Sequence, residues 1–215
     1  MGLWHLWLHR NNFVFRSGTI DRTFHHKCIK SGAEFFATAT SKVAKQKTPI
    51  QVSWRRPPIG WVKLNTDGSA LGPRETGCGG LLRNHQGEWI RGYARALGNT
   101  SSFVAELWAL RDELTMAKEP GLNNLLVEMD ALSVVLLMNN YIVNLLMEPL
   151  LTDCRNLLQS FPNKRVIHAF CEANQCTDAL ARLGARSEPS FVVFVNPLPV
   201  VASLLAFDLS DMYCN

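Results

Sequence analysis

Four carboxylates occupy positions at which acids could act together: Asp67, Glu106, Asp130 and Asp178. Each has apolar neighbours, so we expect each to be partly buried, and a partly buried carboxylate needs a partner. Four negative charges brought to one place repel one another by several kcal/mol unless cations neutralise them. Two divalent cations would supply the four positive charges required.

The kind of cation follows from the ligands. Carboxylate oxygens without a thiolate or imidazole cluster favour Mg²⁺ or Mn²⁺ over zinc, and the six cysteines are scattered with no C-x-x-C pair. Two such ions ~3.5–4 Å apart can activate a water and stabilise the leaving oxygen of a phosphodiester. The chemistry indicated is therefore phosphodiester hydrolysis.

Each acid taken alone has an ordinary structural interpretation. Asp67 before Gly68-Ser69 could be a turn residue, Glu106 a first-turn helix acid, and Asp130 an N-cap. Asp178 could simply face solvent. The active-site interpretation depends on the four acids as an ordered set.

The elements that must position these acids follow from hydrophobic periodicity. We predict strands over Trp61–Asp67, Cys78–Asn84, Glu88–Ala94, Leu125–Asp130 and Arg165–Phe170, and helices over Phe103–Lys118, Ala131–Met138, Pro149–Phe161 and Asn174–Ala185. Gly68-Ser69 is predicted to end the first strand. The order βββαβα(α)βα predicts an α/β fold with a mixed five-stranded sheet, three antiparallel strands followed by parallel ones, flanked by helices. Asp67 and Asp130 would then lie at neighbouring strand carboxyl ends.

The motifs at these positions resemble, in order, those of type I ribonuclease H. More closely, they resemble the ribonuclease H domain at the end of plant non-LTR retroelement polyproteins and its stand-alone derivatives. The segments that carry the resemblance are Asn65–Ser69, Gly79–Asn84 with Gly87–Trp89, Ala105–Leu110, Val127–Asp130, His168, Glu172–Asn174 and Asp178–Ala181. The resemblance implies a ribonuclease H-like fold over residues 54–187.

The resemblance also implies a function and a set of site residues. Asp67, Glu106, Asp130 and Asp178 would hold two Mg²⁺ ions, with Mn²⁺ possible, and His168 would assist product release or proton transfer. Three further residues would line the groove that binds the nucleic acid, namely Gly68, Ser69 and Asn174. The implied reaction is hydrolysis of the RNA strand of an RNA–DNA hybrid, with contacts to 2′-hydroxyls distinguishing the RNA.

Two departures from the family pattern leave an alternative open. Cys171 stands where relatives usually carry a basic residue, and residues 132–147 are largely apolar where bacterial members carry a basic protrusion. The alternative is a catalytically idle module that keeps the fold and binds nucleic acid or protein. A resolvase or transposase on the same fold fits the order of motifs less well.

The segments outside the predicted domain are harder to interpret. Residues 1–50 are predicted to be a helical and linker segment resembling the region that precedes this domain in the retroelements. The basic run Ser41–Lys47 could contact phosphate, but a solvated helix end is favoured. Residues 188–215 form an apolar tail that could pack back on the sheet or bind a partner.

Composition is compatible with a nucleic-acid partner without requiring one. The chain has 22 Lys and Arg against 18 Asp and Glu, a formal charge of +4. We expect a monomer in the nucleus or cytoplasm with reduced thiols, because neither a signal peptide nor a membrane span is evident.

Trp89 and Trp108 could stack on bases, although core packing is favoured. Glu113 and Glu128 are interpreted as structural or solvated.

Overall fold

The computed structural model describes residues 52–118, 121–140, 144, 146–188 and 190–210. The predictions for residues 1–50, including the basic run Ser41–Lys47, lie outside these residues. The strands are β1 (Val62–Gly72), β2 (Glu75–Arg83), β3 (Trp89–Gly98), β4 (Asn124–Met129), β5 (Asn163–His168) and β6 (Phe191–Phe194). The helices are α1 (Ser102–Lys118), α2 (Leu132–Asn140), α3 (Glu148–Gln159), α4 (Gln175–Arg186) and α5 (Pro199–Leu209), with a 3₁₀ turn at Cys171–Ala173.

The strands form one mixed sheet in the order β5-β4-β1-β2-β3-β6. The α/β class and the mixed sheet are confirmed, but the prediction of five strands is wrong because β6 pairs antiparallel with β3. Phe191–Phe194 is a short apolar run between Pro189 and Pro197, and it lacks the alternation that signals a half-buried strand. This run becomes a strand because the free edge of β3 offers backbone N–H and C=O groups with which it can pair.

The first strand also differs from its prediction. β1 continues past Gly68-Ser69 to Gly72, because β2 begins early enough to pair with this extension and Gly68 lies opposite Cys78. The parallel pairing of β1 with β4 stops at Thr66 and Met129. Asp67 and Asp130 follow these two residues directly, so both acids emerge where β4 ends.

Helices α1 and α4 cover opposite faces of the sheet. The hydrophobic periodicity over Phe103–Lys118 predicted a helix with one apolar face, and this is confirmed, since Leu107, Leu110 and Leu114 are fully buried. On the other face, a Cβ on Gly79 would lie 2.6 Å from the backbone nitrogen of Ala181 in α4. Glycine is therefore required in β2 for α4 to approach the sheet this closely.

A buried polar layer lies on the α4 face of β1, β2 and β4. Lys63 Nζ lies 2.6 Å from Glu128 Oε1, and Arg83 donates to Asn65 Oδ1 at 2.8 Å. Arg83 also pairs with Asp208 of α5 at 2.6 Å. The segment predicted to be an apolar tail thus adds a strand to the sheet and an acid to its buried layer.

One buried carboxyl has no partner. Glu113 in α1 is fully buried, and neither of its carboxyl oxygens has a hydrogen-bond partner. Burial, with a smaller contribution from the charge of Asp112, raises the pKa of Glu113 well above its usual 4.5. Glu113 is therefore a neutral core residue and not a solvated acid near the site.

Replacing Glu113 with methionine is expected to stabilise the protein by about 1–3 kcal/mol, because an unpartnered buried polar group is removed at similar volume. The unfolded chain releases the Glu113 proton above pH 4.5 while the folded chain keeps it, so wild-type stability should fall as pH rises above 4.5. Urea unfolding should show that the free energy of unfolding falls less between pH 5 and pH 8 in Glu113→Met than in wild type. The exposed control Glu75→Met should behave like wild type. If the fall in Glu113→Met equals that in wild type, Glu113 is not a neutral core residue.

Candidate active site

Three of the four predicted acids converge where β4 ends beside the middle of β1. One carboxylate oxygen from each of Asp67, Glu106 and Asp130 lies within 4.8 Å of the others. Asp67 is 6% exposed, and the other two are half-buried. We call this set the three-acid group.

Glu106 reaches the group because α1 packs tightly against Gly68. A Cβ on Gly68 would lie 2.5 Å from the backbone nitrogen of Glu106, so this position admits only glycine without a shift of backbone. The Gly68 backbone also hydrogen-bonds the Glu106 carboxylate. Glu106 lies in the second turn of α1, which begins at Ser102, and not in the first turn as predicted.

Asp67 and Glu106 resist ionisation in the absence of cations. Burial, followed by the charges of Glu106, Asp130 and Asp178, raises the pKa of Asp67 from 3.8 to about 9. Burial, followed by the charge of Asp130, raises the pKa of Glu106 to about 8, against an opposing hydrogen bond from Gly68. The site therefore favours a bound positive charge over free carboxylates.

The donor set fits divalent cations. Glu106 Oε2 and Asp130 Oδ1 are buried and have no hydrogen-bond partner, and the same is true of Asn174 Oδ1 beside Thr66 of β1. Unsatisfied buried oxygens are costly unless a cation or water contacts them. Oxygen ligands of this kind match Mg²⁺ or Mn²⁺.

Asp178 stands apart from the three-acid group. It lies in the first turn of α4 with its side chain 41% exposed, and Arg182 Nε is 2.8 Å from its Oδ1. Its charge still raises the pKa of Asp67, so it faces the same site. The structure places Asp178 at the rim of the site.

The predicted substrate-contacting residues surround the group. His168 ends β5, is exposed, and places Nε2 3.1 Å from the backbone oxygen of Asp130. Asn174 is buried and donates from Nδ2 to the backbone oxygen of Thr66 at 2.9 Å. Ser69 is also buried. Substrate contact by Gly68, Ser69 and Asn174 stays a prediction.

The contact between Asn65 and Glu128 escaped the sequence analysis, which gave Asn65 only as part of a family motif and interpreted Glu128 as structural or solvated. Asn65 and Glu128 lie two positions before Asp67 and Asp130, so they point to the same sheet face as those acids. Asn65 Nδ2 is 3.3 Å from Glu128 Oε2, which links β1 to β4 beneath the site. The period of two along each strand is the signal that could have found them.

Comparison with known proteins agrees with this geometry. The family model for reverse transcriptase-like proteins matches residues 65–184, which include the three-acid group and Asp178. The chain belongs to the reverse transcriptase-like family. A protein of Arabidopsis thaliana named as a ribonuclease H protein is 30% identical over 170 residues, covering 77% of this chain and 27% of the relative. This reverse transcriptase-like chain thus spans about a quarter of that relative.

Solved ribonuclease H structures share the fold. Ribonuclease H1 of Halobacterium salinarum is 21% identical with a TM-score of 0.54, covering 58% of this chain and 96% of that one. The N-terminal ribonuclease H domain of a Mycobacterium tuberculosis protein is 22% identical with a TM-score of 0.55, covering 58% and 93%. A ribonuclease H1 in complex with an RNA/DNA hybrid is 21% identical with a TM-score of 0.53, covering 58% and 96%.

Two further facts bear on partners of this reverse transcriptase-like chain. β6 and α5 lie beyond the residues that the family model matches. Among the described residues, no helix has the length and apolar character needed to cross a membrane.

Proposed function

We propose that this chain is a metal-dependent endonuclease that hydrolyses the RNA strand of RNA–DNA hybrids. The observation that carries the proposal is the three-acid group, with ligand oxygens within 4.8 Å of one another. The names of the Arabidopsis relative and of the solved ribonucleases H support the substrate class. One of the solved relatives was captured with an RNA/DNA hybrid.

Asp67, Glu106 and Asp130 would hold two divalent ions, Mg²⁺ or Mn²⁺, with Asp178 completing the set from the rim. Such ions supply charge neutralisation at a phosphodiester and an activated water. The chain itself contributes rigidity, because Gly68 anchors Glu106 and the Asn65–Glu128 link holds β1 at a fixed separation from the end of β4.

His168 and Asn174 would act beside the acids. The exposed His168 ring lies against the Asp130 backbone, where it would assist product release or proton transfer. Asn174 would line the groove from beside β1, whose backbone it holds by donating from Nδ2 to the Thr66 carbonyl. Contacts to 2′-hydroxyls would distinguish the RNA strand.

The proposal is tested with four labelled substrates: an RNA–DNA hybrid, single-stranded RNA, an RNA duplex and a DNA duplex. Each is incubated with the full chain in Mg²⁺, Mn²⁺ or EDTA. We expect cleavage of the RNA strand of the hybrid in either metal and none in EDTA. Folded protein that binds the hybrid without cutting it in either metal would instead indicate the idle binding module.

A further inference from the structure

β6 forms one edge of the sheet and lies beyond the residues that the family model matches. Within the part of the chain that the structure describes, β6 pairs with β3 on one side and no strand pairs with its other side. The backbone N–H and C=O groups on that outer side are therefore open to another strand. We call this outer side the β6 edge.

The backbone hydrogen bonds of β6 alternate between its two sides. The backbone oxygen of Ser190 accepts from a backbone nitrogen of β3 at 3.1 Å, and in an antiparallel ladder every second pair of residues is bonded in this way. The register then assigns Val192 and Phe194 to bonds with β3. Phe191 and Val193 direct their N–H and C=O groups outward, so the β6 edge offers two donors and two acceptors.

Side chains on both faces of the sheet hold the β6 edge in place. The Phe191 ring stacks on the ring of Tyr93, with the centroids 5.0 Å apart. On the other face, Phe194 packs against a buried cluster that includes Val201 and Leu205 of α5. The edge is therefore a formed strand whose backbone groups point in fixed directions, and pairing with it requires little further ordering.

The β6 edge has few of the features that keep natural sheet edges apart. Residues 190–195 contain no charged residue and no proline, and the register between β6 and β3 is unbroken. Phe191, Val192 and Val193 are 47%, 43% and 42% exposed. An uncharged, apolar edge of this kind favours pairing with another strand, although its four residues keep the contact small.

The β6 edge is complementary to itself. A two-fold axis at Val192 places Phe191 of each copy opposite Val193 of the other, so that four backbone hydrogen bonds form between the copies. Val192 then faces its own counterpart in a non-bonded pair, in which Cα atoms lie about 4.5 Å apart. A two-fold axis at Val193 would instead use the carbonyl of Val195, which lies beyond the strand and already accepts from Trp89 Nε1 at 3.1 Å.

We infer that two copies of this chain associate through the β6 edge, antiparallel about Val192, and join their six-stranded sheets into one. The open backbone groups require a strand as the partner, and a second copy supplies one in register without a repelling charge. The inference is independent of the proposed nuclease function. It extends one interpretation of the C-terminal segment, which packs on the sheet through one side of β6 and binds a partner through the other.

The dimer is expected to be in equilibrium with the monomer. Four residues from each copy bury less than the ~1,200–2,000 Å² of a stable interface, so the copies should separate on dilution. Sedimentation velocity of the full chain, from a few micromolar to about 500 µM, should show a rise in the sedimentation coefficient. The monomer expected from the sequence is then the form present at low concentration.

Val193→Pro tests the edge without removing a bond to β3. The Val193 N–H points outward, so proline deletes a donor of the β6 edge and obstructs the second copy, while the ladder with β3 keeps its donors. Two of the four bonds between the copies are lost by symmetry. At roughly 0.5–1.5 kcal/mol for each bond, the dissociation constant should rise by about 10-fold or more.

The matched control is Val193→Thr, which keeps the N–H and the branched shape and should associate like wild type. Melting curves should show that both variants fold. A wild-type chain that stays monomeric at about 500 µM overturns the inference. Association of Val193→Pro as strong as that of wild type also overturns it.

The register is tested by mild oxidation of Val192→Cys. Cα atoms about 4.5 Å apart lie within disulfide range, so this variant should form a cross-linked dimer. Ile59→Cys adds a thiol at a position that is 88% exposed before β1, and it should cross-link no more than wild type, which carries the same native cysteines. Equal cross-linking of the two variants overturns the two-fold axis at Val192. Binding of a synthetic peptide of residues 190–195 by a chain that stays monomeric assigns the edge to a partner's strand and also overturns the inference.

Discussion

Asp67→Asn is expected to slow hydrolysis of the RNA strand by about 10³-fold. Asp67 is the most buried of the three-acid group, and its charge would help to hold the proposed divalent ions. Loss of one carboxylate ligand removes several kcal/mol of transition-state stabilisation, and about 4 kcal/mol corresponds to a 10³-fold change in rate. Single-turnover cleavage of a labelled hybrid in Mg²⁺ measures the effect.

The same substitution should stabilise the metal-free protein. The Asp67 pKa is about 9 in the folded chain against the usual 3.8, so the unfolded chain ionises first and stability falls as pH rises between these values. Asparagine cannot ionise and escapes this loss. In EDTA at pH 8, Asp67→Asn should therefore melt at a higher temperature than wild type, whereas added Mg²⁺ should raise the melting temperature of wild type far more.

The control for both measurements is Asp153→Asn, which removes an acid that is 59% exposed on α3. It should match wild type in cleavage and in melting. A wild-type cleavage rate in Asp67→Asn would show that the three-acid group does not perform the hydrolysis. Lower stability of that variant in EDTA would show that the buried acids do not repel one another.

Asp208→Ala is expected to destabilise the protein by about 3–5 kcal/mol, because it leaves the charge of Arg83 buried without its acid. Arg83 is 1% exposed, and its NH1 lies 2.6 Å from Asp208 Oδ2. Its guanidinium also stacks on Trp54 at 3.6 Å, so it cannot turn outward to water without breaking that contact. Urea unfolding of the full chain measures the loss.

A compensating double substitution distinguishes charge from packing. Arg83→Met with Asp208→Leu should recover most of the stability, since apolar residues of similar volume can replace a buried ion pair. Asp153→Ala, which truncates an exposed acid, should change stability by less than about 0.5 kcal/mol. A loss of that small size in Asp208→Ala would mean that α5 is dispensable to the domain.

Local sequence patterns were enough to predict much of the fold. The stripe of Leu107, Leu110 and Leu114 predicted α1, and all three are buried. The periodicity before Asp67 and before Asp130 predicted two strands, and these pair in parallel up to Thr66 and Met129. The predicted end of the first strand was wrong, because β1 continues to Gly72. These features depend on neighbours three or four residues away in a helix, or two in a strand, so they are readable without a partner.

Other features depended on segments far apart in the chain. The sixth strand formed because residues 191–194 found the free edge of β3, and the burial of Glu113 followed from its contact with β2 at Gly80. The position of Asp178 at the rim, paired with Arg182, likewise depends on how α4 crosses the sheet.

The sequence by itself determined which acids could meet, because the order and spacing of the motifs place them on successive elements of one fold. Only the tertiary structure decided which of them do meet within 4.8 Å, and that the arginines of β3 and α1 share a cleft with β6. The physical reason is that the burial of a side chain and its distance from other charges depend on two segments packed together. The sequence of one segment describes only its own side of such a contact, and tertiary packing supplies the other side.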